Sequence, residues 1–202
     1  MPTMVTPLPF AGGTPAVAFW LVYVVAFGLE AVRRSREDAP DPGTVRDAGS
    51  RYAIYGFAGG GLALAFWVAS GLPSATMAAA RGGVFALGLA VTLCGTAIRW
   101  YAVRTLGDAF HGTVNVREDQ RVVDAGPYRW VRHPSYTGGT AMFLGFGLAL
   151  TNWASVACVL LGTAVGYGYR VRVEEAALRE ELGAAYREYA ERTPYRVVPF
   201  VY

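Results

Sequence analysis

The sequence predicts an all-α integral membrane protein: five transmembrane helices, the last two a tight helical hairpin, and then a C-terminal amphipathic helix. Three observations lead there. Hydrophobic residues make up 53% of the 202 and charged residues only 16%, against about a quarter charged in soluble domains. The charges are gathered between long uncharged blocks. Of the 18 basic residues, all arginine, 16 fall on one side of the spans that those blocks define.

Crossing about 30 Å of hydrocarbon takes about 20 helical residues. Residues 1–29 carry no charge, and the run Pro15 to Leu29 supplies a first span near 12–32. No basic segment precedes it, so it reads as a true span and not as a cleaved leader. The connection from Arg33 to Arg51 holds Pro40, Asp41, Pro42 and Gly43 and reads as a loop. Residues 52–80 are uncharged and give a second span near 52–71. The third, near 82–103, contains one charge, Arg99, toward its end.

The longest uncharged block runs from Pro134 to Tyr169 and has Thr151-Asn152 near its middle. It is long enough for two helices, near 135–150 and 153–170, folded back at that polar pair. The first of the two is short, about 23 Å at the helical rise. After Glu175, Leu178, Leu182, Tyr186 and Tyr189 recur at helical spacing, with Glu180, Glu181, Arg187, Glu188 and Glu191 on the wet side,. Pro194 ends this amphipathic tail. Gly56/Gly60 and Gly162/Gly166 are small-residue pairs suited to close helix approach within the chain,.

Five arginines lie in 33–51, five in 104–132 and six beyond 169, while Arg81 stands alone on the opposite side. The positive-inside rule puts the arginine-rich side in the cytoplasm, the N-terminus outside and the C-terminus inside. Residues 1–81 then form an N-terminal pair of spans with its loop, and 82–202 form the core with its hairpin and tail. A net charge of +3, dispersed, gives no nucleic-acid footprint,. Two isolated cysteines and two histidines exclude a disulfide framework and a metal cluster,. The lysine-free, glycine-rich composition fits a bacterial inner (plasma) membrane. It leaves the oligomeric state open.

Two polar clusters meet at the cytoplasmic edge. Gly126-Pro127-Tyr128-Arg129-Trp130-Val131-Arg132-His133-Pro134-Ser135-Tyr136 opens the fourth helix, with Pro134 suited to the first helical position,. Backbone amides there, next to Arg132 and His133, suit an anion. Arg170-Val171-Arg172-Val173-Glu174-Glu175 lies where the fifth helix leaves the membrane. A hairpin folded at Thr151-Asn152 sets these carboxylates beside those cations, which suits a small zwitterion. Read singly, Arg129 and Arg132 also serve as interfacial charges, and Glu174 and Glu175 as a solvated helical turn. Arg99 either snorkels to headgroups or faces the same cavity.

The joint pattern Gly126-Pro127-Tyr128…Arg132-His133-Pro134-Ser135-Tyr136-Thr137-Gly138 followed by Glu174-Glu175 and Leu178 resembles the isoprenylcysteine carboxyl methyltransferase family, membrane enzymes related to phospholipid methyltransferases. The resemblance takes in Arg99-Trp100-Tyr101, Leu106-Gly107, Tyr186, Tyr189, Arg192-Thr193 and Arg196-Val197-Val198-Pro199, and covers about residues 82–200. It implies S-adenosylmethionine as cofactor, with Tyr128, Arg132, His133, Tyr136, Glu174 and Glu175 holding it. Glu175 is favoured for the ammonium group, although spacing alone does not choose between the two glutamates. It also implies carboxyl O-methylation of an isoprenylcysteine-like or other lipophilic acid, free or on a prenylated protein. Arg196 and Arg99 would orient the acceptor, with Arg172 a weaker choice and no general base required. N-methylation of a phospholipid is one alternative, and a membrane lipid reductase using a nicotinamide cofactor is another. One departure from the family stands out: His111 and Gly112 occupy positions where relatives show an aromatic and a hydroxyl residue.

Overall fold

The computed structural model describes residues 6–35, 49–107, 122–199 and 201. Pro40, Asp41, Pro42 and Gly43 of the first connection, and His111 and Gly112 of the second, lie outside them. The described residues build six helices of more than one turn: α1 (Gly13–Ser35), α2 (Ser50–Gly71), α3 (Arg81–Leu106), α4 (Pro134–Ala149), α5 (Trp153–Glu181) and α6 (Gly183–Arg192). Within α2, Ile54–Gly59 is wound as a π-helix. No strand occurs among the described residues, only an isolated bridge between Thr76 and Asn152.

Local chemistry sets the helix ends. Gly107 adopts φ +53° just after α3, and its amide bonds the Val103 carbonyl, a C-terminal cap that costs a glycine little. Pro134 opens α4, where its missing N–H removes no helical bond,. Asn152 caps α5 by accepting from the Ser155 amide at 3.1 Å,. The same Asn152 donates to the Leu72 carbonyl at 3.1 Å, and the Met77 amide bonds the Thr151 carbonyl at 2.8 Å. The turn between α4 and α5 is thereby fastened to the connection between α2 and α3.

Four helices, α1, α2, α3 and α5, are long and apolar enough to cross a membrane. The protein is an integral membrane protein. Helix α4 has 16 residues and is not among the four. The last long helix also departs from expectation, running unbroken past residue 170 to Glu181. No glycine or proline interrupts that stretch, and Arg170/Glu174 and Glu175/Arg179 are i,i+4 pairs that support a helix,. The tail expected as one helix from Glu175 is consequently divided at Leu182, with Gly183 at φ +53° opening α6.

Helix α4 is placed chiefly by α3. A Cβ at Gly95 would lie 2.7 Å from the Gly138 carbonyl oxygen, and one at Gly88 would lie 2.7 Å from that of Gly145. The two backbones touch in antiparallel register, the close approach that small residues permit. On the other side of α4, Gly139 lies under the Tyr167 ring and Gly147 under Val156 and Val159 of α5. Helix α5 in turn meets α2 where Gly162 faces Phe57 and Gly61, while Gly166 faces Ile54. The expected pair Gly56/Gly60 meets nothing within 4 Å, and Gly61 makes the approach instead. The π-wound turn just before Gly61 shifts the face that α2 presents.

Toward α1 the core is aromatic. Phe19, Tyr23 and Phe27 pack against Phe66 of α2 and Phe146 of α4. An apolar cleft of about 430 Å³ opens there, lined by Trp20, Tyr23, Phe27, Leu62, Phe66 and Phe143 among others.

Candidate functional site

The first turn of α4 and the last third of α5 come together as the folded-back chain requires. Arg132 and His133 stand just before Pro134, and their backbone amides bond the carbonyls of Tyr195 and Arg196 at 2.9 and 2.8 Å. The segment after α6 thus runs alongside the start of α4. The Arg132 guanidinium reaches Glu175 Oε1 at 2.9 Å and donates to the carbonyls of Ala190 and Thr193 at 3.2 and 3.1 Å. One buried arginine therefore joins α4, α5 and the end of α6.

Glu175 stands among three arginines and the His133 ring. Arg196 Nε approaches its two oxygens at 3.2 and 3.1 Å, Arg179 lies at 3.3 Å and His133 Nε2 at 3.4 Å. Its side chain is only 5% exposed. Glu174, one position earlier, is 31% exposed. It accepts from the Tyr136 hydroxyl at 2.8 Å, with His133 Nδ1 at 3.8 Å. The two glutamates diverge as adjacent helical residues must, one among the arginines and one toward the open side.

Behind Tyr136 stands Arg170, which donates to the Tyr136 hydroxyl at 3.1 Å and to Ser50 Oγ at 2.8 Å. His133, Tyr136 and Tyr167 stack in sequence, with ring centroids 5.7 and 5.0 Å apart. Tyr128 is buried, its hydroxyl bonded to the Ala102 carbonyl at 3.3 Å and its own carbonyl accepting from Tyr189 at 2.8 Å. Burial, and then the charge of Glu174, push the Tyr128 phenol above the usual tyrosine range, so it remains a donor,.

All six residues expected around a cofactor, Tyr128, Arg132, His133, Tyr136, Glu174 and Glu175, occupy this one region, as does Arg196. Arg99 is placed differently. Its Nε and Nη2 bond Glu30 of α1 at 2.6 and 3.2 Å, and its Nη1 donates to the Ser135 carbonyl at 3.0 Å. Arg172 is exposed, and so is Trp130. The amides of Tyr136 and Thr137 are taken by the His133 carbonyl at 3.0 and 3.2 Å. The start of α4 therefore offers fewer open donors than its sequence suggests.

Sequence reasoning gave no role to Glu30, Ser50, Arg170 or Tyr167. Glu30 left a trace, being the first charge after 29 uncharged residues. Its partner lies on α3, which no spacing rule links to α1. Two buried polar atoms of the site, His133 Nε2 and the Tyr186 hydroxyl, have no hydrogen-bond partner among the described residues. Such atoms in a polar cluster fit a site that takes a hydrogen-bonding ligand, because an unpaired buried group carries its full desolvation cost. The described residues hold no grouping of His, Cys, Asp and Glu able to bind a metal ion.

The family model of phospholipid methyltransferases matches residues 84–185. A probable protein-S-isoprenylcysteine O-methyltransferase of Oryza sativa subsp. indica is 32% identical over 117 residues, 57% of this chain and 61% of the relative. A Delta(14)-sterol reductase of Mus musculus is 33% identical over 92 residues, 45% of this chain and 22% of the relative. Among solved structures, the eukaryotic intramembrane Ras methyltransferase, isoprenylcysteine carboxyl methyltransferase, superposes with a TM-score of 0.60 at 26% identity. It covers 73% of this chain and 52% of that one. The chain thus spans about three-fifths of the rice relative's length.

Proposed function

The chain belongs to the phospholipid methyltransferase family, and on that premise we propose that it is an S-adenosylmethionine-dependent carboxyl methyltransferase. Its acceptor is an isoprenylcysteine-like or other lipophilic acid, methylated at the cytoplasmic edge of the membrane. The observation that carries this reading is the meeting of Glu174 and Glu175 with Arg132, His133 and Arg196, opposite charges arranged for a zwitterion. The solved methyltransferase and the isoprenylcysteine O-methyltransferase relatives support the carboxyl acceptor. In this reading α4 is a fifth, short span, tolerated because α3 and α5 enclose it.

The residues divide the work. Glu174 is the more open carboxylate, so it, and not Glu175, takes the cofactor's ammonium group, held in place by the Tyr136 hydroxyl. Glu175 is already matched by cations, and with Arg132 it fixes the tail against α4 and α5. His133 borders both carboxylates and presents its ring beside Tyr136. When bound, S-adenosylmethionine supplies a methyl group already activated by its sulfonium. A carboxylate acceptor needs no deprotonation, so these residues contribute alignment in a shielded site,. Arg196, 35% exposed, is the guanidinium placed to meet the acceptor's carboxylate. Arg99 is clamped by Glu30 and braces the first turn of α4.

The acceptor's hydrocarbon belongs in the aromatic cleft. Phe27 lies about one turn below Glu30 on α1, and Phe143 two turns below Tyr136 on α4,. The cleft therefore leads from the bilayer toward the polar site. A second reading, N-methylation of a lipid amine, is favoured by the family model itself. Protein incubated with tritiated methyl donor and lipophilic acceptors decides between them. Label released by base as volatile methanol marks a carboxyl ester, base-stable lipid label marks an amine, and no transfer sinks both.

A further inference from the structure

Helix α6 lies outside the stretch matched by the family model from its fourth residue onward. Its placement nevertheless binds it to the site. Tyr189 holds the Tyr128 carbonyl, and the Ala190 carbonyl accepts from Arg132, both from the face of α6 that also carries Tyr186 one turn earlier,. Tyr186 is 3% exposed, and its hydroxyl has no hydrogen-bond partner among the described residues. Burial first, and then Glu175, push the phenol above its ordinary range. The group is a protonated donor without a partner among the described residues, on the face of α6 that meets Arg132 and Tyr128.

We propose that Tyr186 is a binding residue of this site, its hydroxyl donating to the carboxylate of the cofactor's amino-acid end. The inference rests on the methyltransferase reading and adds to it both a residue and a polarity. Apart from Arg196, which is assigned to the acceptor, both Arg132 and Arg179 reach the single carboxylate of Glu175. That side of the site carries excess positive charge and accepts an anion. Glu174, 31% exposed, stands on the opposite side with the Tyr136 hydroxyl at 2.8 Å and Arg170 behind them at 4.0 Å, and its open carboxylate suits the ammonium. His133 Nε2, 3.4 Å from Glu175 Oε1, lies on the anion's side. A buried donor without a partner in a polar cluster is what a site shows when its ligand completes the hydrogen bonding,.

The substitution Tyr186→Phe removes the hydroxyl and keeps the ring. S-adenosylhomocysteine affinity of the full-length protein in detergent, measured by calorimetry, should fall about tenfold, the loss of one hydrogen bond to a charged group. The thermal midpoint of the ligand-free variant should equal or exceed that of the parent, because a buried donor without a partner has been removed. Tyr189→Phe is the internal contrast. It breaks the bond to Tyr128 and should lower the ligand-free midpoint. Competition by methylthioadenosine, which lacks the amino-acid end, should be the same for Tyr186→Phe and the parent. A lowered ligand-free midpoint for Tyr186→Phe with unchanged affinity would show a purely structural hydroxyl and overturn the proposal. Equal weakening of both ligands would place the hydroxyl at the adenosine, which also overturns it. A parent protein that binds neither ligand rejects the methyltransferase reading itself, a different result from either.

Discussion

Arg99 of α3 grips both carboxylate oxygens of Glu30 on α1, at 2.6 and 3.2 Å, while its remaining nitrogen donates to Ser135 at the first turn of α4. Three helices meet at one buried guanidinium. An arginine within a span is expensive unless partnered, and Glu30 supplies the partner from a helix outside the region matched by the family model. Replacing Glu30 with leucine leaves the arginine uncompensated. The expected cost is about 3–5 kcal/mol, as for other broken buried pairs. Thermal unfolding in detergent measures it, and an unchanged midpoint would show that the pair holds nothing together.

The two glutamates should respond differently. Glu174→Gln removes a charge from the open side, so S-adenosylhomocysteine affinity should drop at least tenfold, in line with about 1.5–3 kcal/mol for a charge-assisted hydrogen bond. The unfolding midpoint should hold. Glu175→Gln unbalances Arg132, Arg179, Arg196 and His133, and should lower the midpoint before it affects the ligand. If Glu175→Gln alone abolishes binding in a protein of normal stability, the ammonium belongs on Glu175.

Arg196→Ala should raise the KM of a carboxylate acceptor several-fold more than it changes S-adenosylhomocysteine affinity. Initial rates at varied acceptor, paired with calorimetry, separate the two effects. The opposite ordering moves Arg196 to the cofactor.

Filling the aromatic cleft tests the path of the acceptor's tail. Ala63 lines it beside Phe66, and Ala63→Phe should raise acceptor KM most for the longest hydrocarbon, with cofactor affinity preserved. An equal effect on short and long acceptors would remove the tail from the cleft.

Gly95 and Gly138 let α3 and α4 touch backbone to backbone. Gly95→Ala should cost about 1–3 kcal/mol by overpacking, or more where neither helix can shift. It should also weaken the ligand, because α4 carries His133 and Tyr136. The same change at Gly56, which meets nothing within 4 Å, should leave both unchanged.

Much of this was legible beforehand because it rests on local or one-dimensional properties. Absent charge marks a span whatever its neighbours are. Pro134 and Asn152 mark helix starts through their own chemistry. The polar clusters at 128–136 and 170–175 lie on consecutive helices, so a single turn at Thr151-Asn152 was enough to bring them together. That reasoning puts Tyr128, Arg132, His133, Tyr136, Glu174 and Glu175 in one region.

What the sequence left open depends on direction and on pairings between distant elements. Adjacent glutamates point about 100° apart, and only the packing of α5 against α4 and the tail turns Glu175 toward the arginines and Glu174 outward. Arg99 reads equally as a snorkelling or a site residue, and its pairing with Glu30 of α1 is invisible in the sequence, since long-range charge pairing has no sequence period. Gly56/Gly60 and Gly61 are equally small, and the π-wound turn selects which of them meets α5. The sequence by itself determined the solvent of each segment and the chemistry available at one membrane edge. The tertiary structure decided which charges neutralise one another and which remain to meet a ligand, because that depends on distances the chain sets only once it is folded.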